Sequence, residues 1–259
     1  MTASSKPADR AISVYCFAPA SELSRSPELG LEAAESKVLG NLAVVFQWVD
    51  ATDYTGARGE RHLADLEWLV PRAEHHQATV SQVSSTVAVL PARFGTLFSD
   101  WAGVETWLEP RRDAMLRALQ HLFRREEWGI RLLERPRPRP TTPLDASSGA
   151  SYLLARKQKR DEESAHRDSM EAMAREFGRE LASACVELTK VPVRSFDQPL
   201  RQAEGDSRVT LAKWAALVDR SALEEFRQHL ESLATTLAGD LAEPELSGPW
   251  PPYNFCPDF

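Results

Sequence analysis

The sequence predicts an α+β fold in two domains. In the first half, short runs of β-branched and aromatic residues alternate with segments of helical period, without the regular strand–helix repeat of a doubly wound sheet. Near the middle, Arg135-Pro-Arg-Pro-Arg-Pro140 and the polar stretch Thr141 to Ser148 interrupt every pattern. Alternating proline and like charge favours extended geometry, so this reads as a linker. Beyond it the chain turns strongly helical, then returns to strands. The expected layout is an N-terminal domain over 12–134, a linker over 135–149 and a C-terminal domain over 150–259.

Ile12 to Phe17 is a short apolar run and a buried strand; Leu42 to Val49 is a second. Between them the chain is polar and Pro/Gly-punctuated, with one helical turn expected around Ala33 to Val38. Leu63, Leu66, Val70 and Ala73 mark the apolar face of a helix that His76, Val80 and Val83 continue. Pro71 predicts a kink or a restart there. Thr86 to Leu90 reads as a central strand that Pro91 terminates, because proline cannot donate to a ladder. Met115, Leu116, Leu119, Leu122 and Phe123 recur at helical spacing, and Trp128 to Leu133 is a strand. The order β, β, α, β, α, β is close to the ferredoxin-like βαββαβ without matching it.

In the second half, Leu153 to Leu188 reads as one long helix. Met170, Met173, Phe177, Leu181, Ala184 and Leu188 stripe its later part, and its earlier part is charged on most sides. Val191 to Phe196 and Val209 to Val218 are strands. Ser221 and Glu224 form a capping-box pattern ahead of Leu223, Phe226, Leu230, Leu233 and Leu237. The order α, β, β, α, β is again ferredoxin-like in character. The chain then finishes Leu246-Ser-Gly-Pro-Trp-Pro-Pro-Tyr-Asn-Phe255. Proline fixes φ and removes a donor, so this tail is extended. Disordered tails are poor in aromatics, so Trp250, Tyr253 and Phe255 are expected to pack on the protein's own body.

Composition narrows the function. Over 259 residues, 42% hydrophobic and 27% charged content is ordinary for a globular protein, and a net charge of −7 argues against a nucleic-acid binder. No apolar run approaches the ~20 residues that span a bilayer. Met1 to Arg10 is short and polar and lacks a signal core, so a cytoplasmic location is expected. Cys16, Cys185 and Cys256 are far apart and form no Cys-x-x-Cys pair, which disfavours a zinc site.

Four motifs, in order along the chain, resemble one family. They are Val89-Leu-Pro-Ala-Arg-Phe-Gly-Thr-Leu-Phe98, Glu127-Trp-Gly-Ile-Arg131, Gly149-Ala-Ser-Tyr-Leu-Leu-Ala-Arg-Lys157 and the Gly-Pro-Trp-Pro-Pro-Tyr-x-Phe ending. They are similar to the Leu-Pro-x-Arg-Phe-Gly-Thr segment, the Glu-Trp/Tyr-Gly-Val-Lys strand, the Tyr-Leu-x-x-Arg/Lys helix opening and the C-terminus of the gas vesicle proteins GvpF and GvpL. Ala92 departs from the aliphatic or aromatic residue frequent there. The resemblance implies a modified ferredoxin-like N-terminal domain and a non-enzymatic accessory or minor structural role in gas vesicle assembly. It also implies, as partners, the hydrophobic shell protein GvpA and other vesicle accessory proteins, with a location at the gas vesicle. No membrane or nucleic-acid partner is expected.

The residues themselves offer no catalytic, cofactor-binding or metal-ligating constellation. There is no Walker loop, no Gly-x-Gly-x-x-Gly and no Gly-x-Ser-x-Gly. His75 and His76 are adjacent, so on a helix they diverge and cannot share a metal as an i,i+4 pair can; His76 is expected to be a satisfied packing residue. Asp161-Glu162-Glu163 reads as a solvated face. Arg93 sits just after a buried strand, where it pairs with a carboxylate or caps loop carbonyls. Gly95 supplies a backbone geometry or a close approach. The candidate structural or partner-binding residues are Pro91, Arg93, Phe94, Gly95, Tyr152, Trp250, Pro251, Pro252, Tyr253 and Phe255. A second function class, a small-molecule-binding or enzymatic ferredoxin-like protein, would require a deep polar pocket.

Overall fold

The computed structural model describes residues 10–25, 34–136, 149–193 and 208–257. The expected linker falls largely outside these residues, as does the end of the strand expected over 191–196. Packing divides the chain into two compact units, Met1–Glu126 with Trp250–Phe259, and Glu127–Pro249.

The first unit is organised around β1 (Arg10–Pro19), whose eight residues from Ala11 to Ala18 are all buried. A strand packed on both faces reads as a continuous apolar run rather than an alternating one. The single turn α1 (Ala20–Leu23) follows, then the antiparallel pair β2 (Glu35–Leu39) and β3 (Leu42–Asp50). Two helices follow, α2 (Gly56–Ala64) and α3 (Leu66–Ser84). The two-residue strands β4 (Leu90–Pro91) and β5 (Leu97–Phe98) come next, then α4 (Trp101–Leu108) and α5 (Arg112–Leu122). The sheet order is β2-β3-β1-β4, with β5 also on β1. Val80 and Val83 of α3 pack with Tyr15, Cys16, Ala18, Ala43 and Val45 on one face. On the other face, Phe17 stacks on Trp107 at 5.5 Å and Phe46 meets Trp101 edge-on at 4.7 Å.

Several local expectations change. Of the stretch expected to hold a helical turn, the residues from Glu35 on form a strand, in which Lys37 and Val38 pair with Val44 and Ala43. Thr86 to Leu90 pairs only at its last residue and Pro91, although Val87 and Val89 are buried. The helix restart falls at Asp65 rather than Pro71. Asp65 ends α2, and its carboxylate accepts from the Glu67 amide at 3.0 Å to start α3. Pro71 lies inside α3, at the cost of one intrahelical bond. The unforeseen α4 is capped by Asp100, which accepts from the Gly103 amide at 2.8 Å.

The second unit is built from β6 (Arg125–Glu134), α6 (Gly149–Ala182), β7 (Glu187–Val191), β8 (Val209–Asp219), α7 (Leu223–Leu233) and β9 (Ala242–Trp250). The sheet order is β7-β8-β6-β9. Numbered within the unit, this is βαββαβ with strand order 2-3-1-4, the ferredoxin-like arrangement. The first sheet has the same relative order. The strand expected to close the N-terminal domain, β6, is instead the central strand that opens the second sheet. Its side chains explain why: Trp128, Ile130 and Leu132 alternate onto the same core as Ala212, Trp214, Ala216 and Val218 of β8. Residues 250–259, expected with the C-terminal domain, group with the first unit.

Helix α6 spans 34 residues, roughly 50 Å at ~1.5 Å per residue. Only its later part is anchored, through Met170, Ala174, Phe177 and Leu181. The expected Ser221 cap is replaced by Asp219, which accepts from the Ser221 amide at 2.9 Å; α7 itself starts after Ala222 without a side-chain cap. The edge strand β9 carries Pro244 and Pro249, which deny a ladder to other strands. Arg131 faces Glu245 at 3.8 Å and Arg135 faces Glu243 at 3.4 Å across the β6–β9 pair. These pairs are partly exposed and contribute little each.

The tightest approach in this core is at Gly178. A Cβ there would lie 2.9 Å from the Trp214 indole nitrogen, and Phe177 already stacks on the same ring at 5.9 Å. Trp214 is buried and cannot swing away. Gly178→Ala is therefore expected to destabilise the protein by about 1–3 kcal/mol through overpacking, despite alanine's better helix propensity. Thermal melts of the variant check this; an unchanged or raised Tm would contradict it.

Candidate partner-binding site

The Leu90–Phe98 segment follows β1 in two steps. Leu90 and Pro91 pair with Phe17 and Cys16, and the Ala92 amide donates to the Tyr15 carbonyl at 2.8 Å. The chain then turns: the Thr96 amide donates to the Arg93 carbonyl at 3.1 Å, and the Thr96 hydroxyl donates to it at 2.7 Å. Past the turn, Val14 donates to the Thr96 carbonyl at 3.0 Å, and Leu97 and Phe98 pair with Ser13 and Ile12. The turn sits opposite a register shift in β1 between Val14 and Cys16. Gly95 has φ of 84°, at the position where a type II turn requires a positive value. No atom lies within 4 Å of its missing Cβ, so glycine is needed there for backbone geometry and not for space.

Arg93 lies at an exposed position, and its carbonyl accepts the two bonds from Thr96 that hold the turn. The buried polar partner of this segment is His76. Its Nε2–H donates to the Ala92 carbonyl at 3.0 Å, which fixes the tautomer. His75 is exposed, as adjacent helical positions must diverge. Phe94, half-buried, meets His76 edge-on at 5.8 Å and Tyr54 at 6.4 Å. Tyr54 meets Trp68 at 5.3 Å, Trp68 stacks on His62 at 4.6 Å, and the Arg72 guanidinium lies 4.1 Å over Trp68. Tyr15 donates to Gln47 Oε1 at 2.7 Å, and burial, with Tyr54 adding, pushes its phenol up to about 12. These rings form a connected packing network, in which Tyr15 and His76 both find their hydrogen-bond partners within the same unit.

In the tail, Pro251, Pro252 and Phe255 are buried, whereas Trp250 and Tyr253 remain exposed. Of the three aromatics expected to pack, Phe255 is buried together with the two prolines, and Trp250 and Tyr253 are 46% and 40% exposed. The Pro91–Gly95 segment and this tail belong to the same unit. Tyr152 belongs to the other and is exposed near the start of α6. Sequence reasoning missed a further feature. Leu63, Leu66 and Val70, read as part of an apolar helix face, are 46%, 68% and 44% exposed, and burial on α3 begins only at His76. An apolar stripe in a helix signals a contact face without saying whether the contact is internal.

A cavity of about 340 Å³ in the second unit is lined by Cys185, Asp219, Glu225 and His229, among others. Burial pushes the Cys185 thiol up to about 11, so it is not a thiolate at neutral pH. His229 leans toward the Glu180 carbonyl at 3.4 Å, and Asp219 is engaged by the Ser221 amide. Among the described residues no group of three His, Cys, Asp or Glu side chains could hold a metal ion. No helix among the described residues is long and apolar enough to cross a membrane.

Two ferredoxin-like units, a proline–aromatic tail with Phe255 buried and exposed aliphatic side chains on α2 and α3 define an α+β protein. Residues 11–257 match the family described as gas vesicle synthesis protein GvpL/GvpF, and the chain belongs to that family. It is 32% identical to gas vesicle protein L of Streptomyces sp. (strain CB03234) over 227 residues, 84% of this chain and 80% of that one. Its fold is similar to the crystal structure of GvpF from Anabaena sp. PCC7120, with a TM-score of 0.65 at 16% identity over 96% of this chain and 97% of that one. It is also similar to GvpF from Microcystis aeruginosa, with a TM-score of 0.59 at 16% identity over 95% and 98%. Membership of the family supports a role in gas vesicle assembly.

Two measurements test this geometry. Burial holds the His76 imidazole below its ordinary value of 6.5. Above that value the histidine is neutral in both folded and unfolded chains; as pH falls through it, the unfolded chain takes up the proton first and stability drops. Tm should therefore fall between pH 7.5 and 5.5, and by less in His76→Gln, which keeps a donor for Ala92. In the tail, Phe255→Ala should cost about 3 kcal/mol in denaturant melts, against under about 1 kcal/mol for the exposed Tyr253→Ala. Equal losses would contradict the assignment of Phe255 as the anchor.

Proposed function

We propose that the chain is a non-enzymatic accessory or minor structural protein of gas vesicle assembly, in the cytoplasm and at the vesicle. It binds the hydrophobic shell protein GvpA and keeps it from aggregating during nucleation. The observation that carries the binding is the exposed Leu63, Leu66 and Val70 stripe. Scattered surface leucines are ordinary, but Leu63 at the end of α2 and Leu66 and Val70 one turn apart at the start of α3 are grouped along one short stretch of chain, and grouped exposed apolar residues mark an interaction site. Full burial of a large aliphatic side chain stabilises by ~1.5–3 kcal/mol. Association costs several kcal/mol or more of lost freedom, so three such residues support a reversible grip. Reversibility suits a protein that must hand its partner on to a growing shell. The enzymatic alternative draws less support, since the cavity around Cys185 holds a protonated thiol and a carboxylate already engaged by backbone.

The test is the triple variant Leu63→Ser/Leu66→Ser/Val70→Ser. Because these positions are exposed, Tm should change by no more than about 2 °C, as surface substitutions are usually near neutral. Suppression of GvpA aggregation, followed by light scattering, should fall tenfold or more. A folded variant that still protects the shell protein would sink this reading.

A further inference from the structure

The exposed apolar residues of α3 are bordered by charge of one sign. At ~100° per residue, Leu66, Val70, Glu74, Glu67 and Pro71 fall within one ~140° sector of the helix, which Gln77 and Ala78 continue. The buried His76, Thr79, Val80 and Val83 project from the other side. Glu67 and Glu74 are the only charged residues of α3 in that sector, and both are exposed. Val70 lies between them, three residues from one and four from the other, so each carboxylate is its neighbour on the helix surface. On α2, Leu63 has the exposed Glu60 as its i,i+3 neighbour. Glu60, Glu67 and Glu74 have no side-chain hydrogen bond or ion pair among the described residues. The arginines of the same stretch are all engaged. Arg58 pairs with Asp53 at 2.7 Å, and Arg61 donates to the Ala57 carbonyl at 3.1 Å. Arg72 donates to the Trp68 carbonyl at 3.0 Å and covers the Trp68 ring. Glu67 stands in the first turn of α3, where a carboxylate also favours the helix dipole. Glu74 stands about two turns further on, beyond the reach of that effect.

Given Leu63, Leu66 and Val70 as the partner-binding stripe, a reading on which this inference rests, we propose that the Leu66–Val70 face of α3 accepts a protein segment whose apolar residues are bordered by lysine or arginine. Burial of the aliphatic side chains drives the association. Glu67 and Glu74 decide which segment is accepted, by pairing with cations on its border. A segment bordered by carboxylates meets two unmatched negative charges and is rejected. The same repulsion acts on an anionic bilayer and on nucleic acid, which both present phosphates, and the net charge of −7 works in the same direction.

Full-length protein is titrated by fluorescence anisotropy with two synthetic amphipathic peptides that share a leucine face, one bordered by lysines and the other by glutamates. The controls are a scramble of the lysine peptide and vesicles of phosphatidylglycerol. The lysine-bordered peptide should bind at least about tenfold more tightly than the glutamate-bordered one and than its own scramble, with the margin shrinking as NaCl is raised. Glu67→Gln/Glu74→Gln should abolish the preference between the two peptides with unchanged Tm. Glu74→Lys, away from the helix terminus, should narrow it and serves if the double variant loses stability at the start of α3. Leu66→Ser/Val70→Ser should weaken both peptides. No preference in the parent, a preference that survives the glutamate variants, or a scramble that binds as well as the ordered peptide overturns the proposal and leaves the reading of the stripe standing. Peptide binding untouched by Leu66→Ser/Val70→Ser counts against that reading itself, and the proposal falls with it. Vesicles bound more tightly than the lysine-bordered peptide, and released by Leu66→Ser/Val70→Ser, would make this a membrane-facing surface and overturn the proposal equally.

Discussion

The burial of β1 on both faces and both edges is the constraint on which the first unit depends. A strand so placed exposes none of its side chains and must find partners for every backbone group. β3 supplies one edge along its whole length. The other edge is met by the two-residue strands β4 and β5. Two short pairings separated by a type II turn meet that requirement, and this is the physical role of the Leu90–Phe98 segment. The positive φ of Gly95, the Ala92 amide and the buried His76 all serve the same edge. The motif read in sequence as structural or partner-binding thus holds one edge of the central strand.

Much of the fold is legible in the sequence where one physical signal dominates. The continuous apolar run at Ile12 to Phe17 announces a doubly buried strand, and Phe226, Leu230 and Leu233 announce a helix face. Legibility fails where two signals compete. Thr86 to Val89 has strand composition, but Pro91 and the turn leave it only a two-residue pairing. Trp128 to Leu133 reads correctly as a strand but falls in the other sheet, because sequence order favours pairing with what precedes, while alternation onto Trp214 and Ala216 decides otherwise. For the candidate site, Pro251, Pro252 and Phe255 prove to be buried anchors. Trp250 and Tyr253 are not separable from them by composition. The Leu63 to Val70 stripe is visible but ambiguous, since periodicity reports an apolar face and not what covers it.

The surface chemistry of the two units differs in kind. In the first, exposed aliphatic residues sit beside a network of packed aromatic rings, so any association there is driven by removal of apolar area from water. In the second, the early turns of α6 carry exposed leucines among a mixture of cations and carboxylates.

The first unit is discontinuous: its final packing includes Trp250–Phe259, which follow the entire second unit in the chain. During synthesis, residues 10–126 leave the ribosome long before these anchors exist. Pro251, Pro252 and Phe255 can close their part of that unit only after β9 has been made. The second unit, Glu127–Pro249, carries its whole sheet and both covering helices within one contiguous stretch. Order of completion is therefore inverted relative to order of translation: the later unit can finish first, and the earlier one is sealed last. A nascent chain interrupted before residue 250 would lack Pro251, Pro252 and Phe255, and with them the last packing of the first unit.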